Sequence, residues 1–282
     1  MWSNCPFQWQ KSYVEGLKED DTNLNTWFGT AIHRTIQDWL PVVYGGSPVV
    51  AKTMDLSDSF KTILIEEVTP YIKQADDNQN VTYMCSREEL EEYYQQGTEI
   101  LSYVQTHSSK LFPTGNTELV GTEVELDMSL TENLNFVAYL DIVTHNKETD
   151  EYTIIDIKTS RRGWNDKLKN DPTKRSQLLL YKKFFSVTRN VPLNKIGVEF
   201  TILKREHDSN QFYSNPRVSK FVPPNGTPSV NKAWGEFQKF LDTCFDKNGE
   251  YRDVQHEPTP SKYACRFCAF KAKKDICPVG IK

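Results

Sequence analysis

The segment TIIDIKTSRRGWNDKLKNDPTKRSQLLLY, residues 153–181, carries Asp156 and Lys158 two apart inside an otherwise apolar, β-branched run. On a strand, residues i and i+2 share a face. Acid and lysine would therefore project together while Ile155 and Ile157 turn into apolar packing. An ion pair at a strand edge would account for this much, since such residues are rarely buried without a partner. A second carboxylate, Asp141 in NFVAYLDIVT, lies on a run that can pair with the first through the turn ETDE. Two carboxylates brought together without a cation repel and push a pKa upward. A divalent cation removes that penalty, and hard oxygen ligands suit magnesium or manganese. The lysine could then help orient or activate an attacking water and stabilise the extra negative charge of a pentavalent phosphate.

Elements with the right period surround these residues. ELVGTEVELDMSL, NFVAYLDIVTH and EYTIIDIKTS read as short strands, KRSQLLLYKKFFSV as a helix and KIGVEFTILKRE as a further strand. The order β-β-β-α-β predicts class α/β, a mixed sheet with a helix packed on it. Ahead of it, TWFGTAIHRTIQDWL sets Phe28, Ile32, Ile36 and Leu40 at helical spacing, and VVYGGSP punctuates its end. A short helix is expected near the start, and two more over about 56–74 and 87–107. SNPRVSKFVPPNGTPS reads as a turn-rich connection, and VNKAWGEFQKFLDTCF as a helix started by Ser229. The expected organisation is a helical lobe at 1–117 carrying Cys5 and His33, a core at 118–205, and a C-terminal helix with a cysteine cluster at 206–282, packed as one integrated domain.

Composition limits the alternatives. With 38% hydrophobic and 26% charged residues, the 282-residue chain is unlike a disordered one, and no apolar run is long enough to cross a membrane. The start, MWSNCPFQWQKSYVEG, lacks a basic leader followed by an apolar core, so an intracellular protein is expected. A net charge of −4 weakly opposes a nucleic-acid partner, but distribution matters more than the sum. Lys158, Arg161, Arg162, Lys167, Lys169, Lys174, Arg175, Lys182 and Lys183 crowd one segment, where only Asp156, Asp166 and Asp171 oppose them. A solvated charged loop would look the same. No Walker-type phosphate loop is present, so ATP-driven unwinding would need another subunit.

The six cysteines do not suggest a disulfide framework. Cys265-x-x-Cys268 is a local ligand pair, eight residues separate it from Cys277, and Cys5 at the opposite end could be a fourth ligand. Thiolates suit zinc and iron-sulfur clusters alike. Cys85 and Cys244 read as ordinary, wholly or partly buried cysteines.

Asp141 followed by Asp156-Ile157-Lys158-Thr159 resembles the PD-(D/E)XK nuclease signature. GTAIH, residues 29–33, and QLLLY, residues 177–181, are similar to the glycine-histidine and Gln-x-x-x-Tyr motifs of its RecB-type branch, which includes the AddB nuclease domain and CRISPR-associated exonucleases. The resemblance implies a restriction-endonuclease-like core with His33, Asp141, Asp156 and the Ile157 carbonyl as metal ligands and Lys158 as the activating residue. Gln177 and Tyr181 would support the site and contact the nucleic-acid backbone. The family often has glycine where Ala138 stands. Glu123 resembles an acid found one strand earlier, though it reads equally well as an exposed strand residue. Trp164 could stack on a base or anchor its loop. One N-terminal and three C-terminal cysteines resemble the iron-sulfur staple of these nucleases, so Cys5, Cys265, Cys268 and Cys277 are expected to hold a 4Fe-4S cluster, with structural zinc as the alternative. The implied activity is a magnesium- or manganese-dependent DNA exonuclease, with single-stranded or end-containing DNA as substrate, 5′ to 3′ polarity slightly favoured, and a helicase or recombination partner possible. The rival readings are a structure-selective endonuclease in recombination or CRISPR adaptation and a non-catalytic DNA-binding partner of a helicase.

Overall fold

The computed structural model describes residues 1–17, 22–77, 85–206 and 216–281. In chain order, α1 (Pro6–Trp9) runs into a π-helical turn and is followed by α2 (Leu24–Gly45), α3 (Pro48–Thr53), α4 (Leu56–Asp77), α5 (Arg87–Thr106) and α6 (Ser108–Leu111). Strands β1 (Thr117–Thr131), β2 (Leu134–Asn146) and β3 (Glu151–Ser160) come next. Then come α7 (Asp166–Lys169), α8 (Pro172–Arg189), β4 (Ile196–Lys204), β5 (Val218–Phe221) and α9 (Thr227–Cys244). Among the described residues, no helix is long and apolar enough to cross a membrane.

The five strands form one sheet in the order β1-β2-β3-β4-β5. Strands β2 and β3 are antiparallel, β3 and β4 parallel, β4 and β5 antiparallel. The parallel pair needs a crossover, which α8 supplies. Alternation along β3 then separates two environments. Ile155 and Ile157 join a core of α2, α4 and α5 that includes Phe28, Ile32, Phe60 and Ile100. On the other face, the Tyr152 ring lies 5.5 Å from Phe185 of α8, so Asp156 and Lys158, which share the parity of Tyr152, face α8.

Local chemistry explains several boundaries. Asn23 caps α2 by accepting from Asn25 N–H, and Ser86 and Glu89 form a reciprocal capping box at the start of α5. Helix α9 starts at Thr227, two residues before the expected Ser229. The stretch expected to be a turn-rich connection contains β5, whose Val218 pairs with Leu203 and whose Phe221 pairs with Phe200. Four residues are too few to display a strand period in the sequence. Residues 214 and 215 of that stretch lie outside the described residues.

The chain forms two compact units. One comprises Met1–Asp21, Met128–Phe136 and Asn231–Lys282, and the other Thr22–Asp127 and Val137–Val230. The first is held by a ring cluster in which Trp9 meets Phe240 at 5.1 Å and Phe245 meets Tyr251 at 6.3 Å. In the second, α4 and α5 approach at Gly97, where an added Cβ would lie 2.2 Å from the fully buried Phe60 ring. Gly97→Ala is therefore expected to destabilise this unit by about 1–3 kcal/mol through overpacking, despite alanine's better helix propensity. Urea unfolding checks this, and an unchanged or raised midpoint would contradict it.

Candidate active site

Ladder pairing between β2 and β3 runs from Asn146–Glu151 to Ile142–Ile155. One position further, a side chain replaces the ladder: Asp141 Oδ2 accepts the Ile157 backbone N–H at 2.7 Å. Asp141 is thus fixed by a main-chain donor on the strand that carries Asp156 and Lys158. Asp156 is 3% exposed, and Lys158 Nζ lies 2.8 Å from its Oδ2 and donates to Oδ1 at 3.1 Å. Oδ2 itself is buried, with that ammonium as its partner.

His33, on α2, points its Nδ1 toward Asp141 Oδ2 at 3.7 Å. Gly29, one turn earlier, lies against β3: an added Cβ would be 3.6 Å from Thr159 Oγ1. Burial, and then the Lys158 charge, push the His33 pKa down to about 4, although Asp156, Glu123 and a hydrogen bond to the Ile157 backbone oppose this. At neutral pH the imidazole is uncharged and can act as a ligand. Burial raises both carboxyl groups to about 6. Lys158 holds both down, while Asp141 adds to the rise at Asp156. For Lys158, burial disfavours the charge, but Asp156 and Asp141 more than offset it and the ammonium pKa rises.

Helix α8 closes another side. Gln177 Nε2 donates to Tyr181 Oη at 2.7 Å, as their i, i+4 spacing allows. Tyr181 is raised mainly by burial, with Asp156, Lys158 and Asp141 all acting on its hydroxyl. The structure therefore gathers His33, Asp141, Asp156, Ile157, Lys158 and Tyr181, with Gln177 bonded to Tyr181.

Gln37 belongs to this cluster and has no place in the sequence expectations. Only 4% exposed, its Nε2 donates to Glu123 Oε1 at 2.5 Å and to the Asp141 carbonyl at 3.3 Å. The available signal was an amide four residues after His33, hence on the same helical face. Glu123 is exposed yet acts electrostatically on both His33 and Asp141, and its φ of +49° is left-handed in the middle of a strand. Such strain costs of order 1–3 kcal/mol and persists where the surroundings over-determine it.

The basic segment is largely occupied by its own neighbours. Arg161 and Arg162 both pair with Glu206, the latter at 2.8 Å. Arg175 donates to the Lys169 carbonyl at 2.6 Å and to Asn170 at 2.5 Å. Trp164 packs 4.8 Å from Phe200, with Lys174 Nζ 5.2 Å from its ring, as a loop anchor would.

In the other compact unit, Cys5, Cys265, Cys268 and Cys277 line one recess with Phe7, Pro258 and Phe270. None is in a disulfide. Burial raises the Cys268 thiol, and the other three cysteines add to this. Cys244 lies elsewhere, 3.7 Å from His256 Nε2, and burial lifts its thiol to about 11, which makes it unreactive.

A family model described as the PD-(D/E)XK nuclease superfamily matches residues 2–278. No curated protein sequence matches significantly. Among solved structures, SSO0001 is 15% identical over 98% of this chain and 97% of its own, with a TM-score of 0.34. The Eubacterium rectale protein named "Putative exonuclease" is 12% identical over 92% of this chain and 77% of its own, with a TM-score of 0.45.

Proposed function

Because the chain belongs to the PD-(D/E)XK nuclease superfamily, we propose that this nuclease is a divalent-cation-dependent exonuclease acting on DNA ends, with single-stranded DNA preferred. The observation that carries the reading is the buried Asp156 carboxylate, ion-paired with Lys158 and neighboured by Asp141 and an uncharged His33. Two hard carboxylates and one neutral imidazole are donors of the kind a divalent cation takes. Asp141, Asp156, His33 and the Ile157 carbonyl would hold it. A bound magnesium or manganese ion would supply Lewis-acid charge and a nucleophile at neutral pH.

The chain's own groups do the rest. Lys158 remains protonated against burial and orients the attacking water while opposing the charge that builds on the phosphoryl oxygens. Tyr181, fixed by Gln177, offers its hydroxyl to the adjacent phosphate. Gln37 holds Glu123 and the Asp141 main chain in place. Water attacks phosphorus, the ester oxygen departs, and no enzyme atom becomes bonded to the substrate.

The preference for ends and the slightly favoured 5′ to 3′ polarity rest on the likeness of His33 and the Gln177–Tyr181 pair to RecB-type exonuclease motifs. The competing endonuclease reading rests on the same chemistry. Circular single-stranded DNA separates the two: exonuclease activity digests linear strands and leaves circles intact, and cleavage of circles at a comparable rate would contradict it. No phosphate-loop motif is present in the sequence, so a helicase partner would supply unwinding on duplex ends.

For the cysteine recess we propose a structural 4Fe-4S cluster rather than zinc. Four thiols free of disulfides line one recess, one from the N-terminal segment and three from the C-terminal segment, which supports a metal of either kind; the choice of iron-sulfur rests on the likeness of this cysteine order to the staple of RecB-type nucleases. Iron and acid-labile sulfide content against zinc content decides between them.

Cation affinity should depend on pH with a defined sign. Asp141 and Asp156 take up protons near pH 6 in the metal-free site, and a cation must displace them. Manganese affinity is therefore expected to fall as pH drops through about 6, with His33 contributing only nearer pH 4. Manganese titration at pH 5, 6, 7 and 8 checks this. Affinity unchanged between pH 5 and 8 would contradict it.

A further inference from the structure

Phe267 is 82% exposed, the most exposed large apolar side chain among the described residues. It lies between Cys265, which is buried, and Cys268, which is half-buried. The turn is held by Cys265 N–H to Ser261 O at 2.9 Å and Cys268 N–H to Cys265 O at 3.3 Å. That backbone turns the two thiols toward the recess and leaves Arg266 and Phe267 outward. The Arg266 guanidinium lies 4.8 Å from the Phe267 ring centre, and Tyr263 is 49% exposed nearby in sequence.

The segment around this ring is rich in cations, with Asp275 following Lys274 directly. From Lys262 to Lys274 the chain carries Lys262, Arg266, Lys271, Lys273 and Lys274 and no acid, although the protein as a whole is acidic. Lys271 donates to the Arg266 carbonyl at 2.9 Å, and Lys274 to the Pro278 and Gly280 carbonyls at 3.2 and 3.0 Å. These bonds place the ammonium groups without neutralising them. Among the described residues, no carboxylate is ion-paired with Lys262, Arg266, Lys271 or Lys274.

Folding gains nothing from an exposed phenyl ring, which would be stabilised by burial. An exposed aromatic ring with a guanidinium beside it, in a segment rich in cations, matches the stacking platform with a cationic backbone track that binds single-stranded nucleic acid without sequence preference. We infer that the Cys265–Cys268 turn is a second DNA-contact surface, on which Phe267 stacks against a base while Lys262, Arg266 and Lys274 meet the adjoining phosphates. The choice of a nucleic acid as occupant rests on the nuclease reading above. The surface itself belongs to the unit that carries the cysteine recess, not to the unit that carries Asp156.

The test measures binding rather than cleavage, using the full chain in chelator and a fluorescent oligothymidine followed by anisotropy. Phe267→Ala should weaken binding by about 5- to 150-fold, the equivalent of one base–aromatic stack, while Phe267→Trp retains it. Removing two cations with Lys262→Ala and Arg266→Ala should flatten the log–log salt dependence by about 1.4, at about 0.7 per phosphate contact on a single strand. Thermal unfolding of each variant should match wild type, because the side chains replaced are exposed. Binding is read in chelator without cleavage, so a failed nuclease reading would show in a separate cleavage assay and not in this one. Binding unchanged within twofold in Phe267→Ala, with an unchanged salt slope in the double variant, would overturn the inference. Phe267-dependent binding to anionic phospholipid vesicles in place of oligothymidine would overturn it too, in favour of a membrane surface.

Discussion

Lys158→Met is expected to slow DNA cleavage by about 10²–10⁴-fold, the range for loss of a positioned proton-transfer or charge-stabilising group. Methionine keeps most of the side chain's length and removes only the charge and donors, so packing is a minor part of the effect. A second consequence follows from the electrostatics. Lys158 is the main nearby charge holding down Asp156, and it also holds down Asp141. Without it, both groups should titrate above their present value of about 6, and the acid limit of manganese binding should move to higher pH. Cleavage slowed with an unmoved acid limit would mean that Lys158 is not electrostatically coupled to the carboxylates as the 2.8 Å contact requires. Near-normal cleavage would remove it from the mechanism.

Cys268→Ala is expected to abolish metal binding in the cysteine recess and to unfold the compact unit around it. Metal bound to cysteine thiolates contributes free energy of folding, about 10–16 kcal/mol in zinc peptides. That is comparable with the about 5–15 kcal/mol that stabilises a whole domain. The recess joins Cys5 to residues 265–277, so losing one ligand also removes a link between the N-terminal and C-terminal segments. Cys244→Ala serves as the comparison, because Cys244 is fully buried but lies outside the recess. It should keep full metal content and lose only modest stability. Both proteins would be prepared anaerobically and assayed for iron, sulfide, zinc and thermal unfolding. Full metal content and stability in Cys268→Ala would refute the staple.

What the sequence shows of this molecule follows from how local each signal is. The alternation in TIIDIKTS is enough to separate Ile155 and Ile157 from Asp156 and Lys158, because the strand period is fixed by backbone geometry. The turn between β2 and β3 is short, so the pairing that brings Asp141 beside Ile157 N–H is also readable. Gln37 is different. An amide on an apolar helix reads as an interruption until its partners, 86 and 104 residues away, are placed. The left-handed φ of Glu123 has no glycine or asparagine to announce it. The basic segment is the reverse case: its charge is evident, but the pairing of Arg161 and Arg162 with Glu206, 45 and 44 residues away, is not. The cysteines give the chemistry of their recess through residue type alone, whereas their convergence depends on the fold.

The most direct measurement is cleavage of an end-labelled linear single strand by wild type and Asp156→Ala, side by side, with magnesium or manganese and with chelator. The account predicts digestion by wild type with either cation, none in chelator, and none by Asp156→Ala under any condition. Equal digestion by both proteins, or digestion by wild type that persists in chelator, would contradict it.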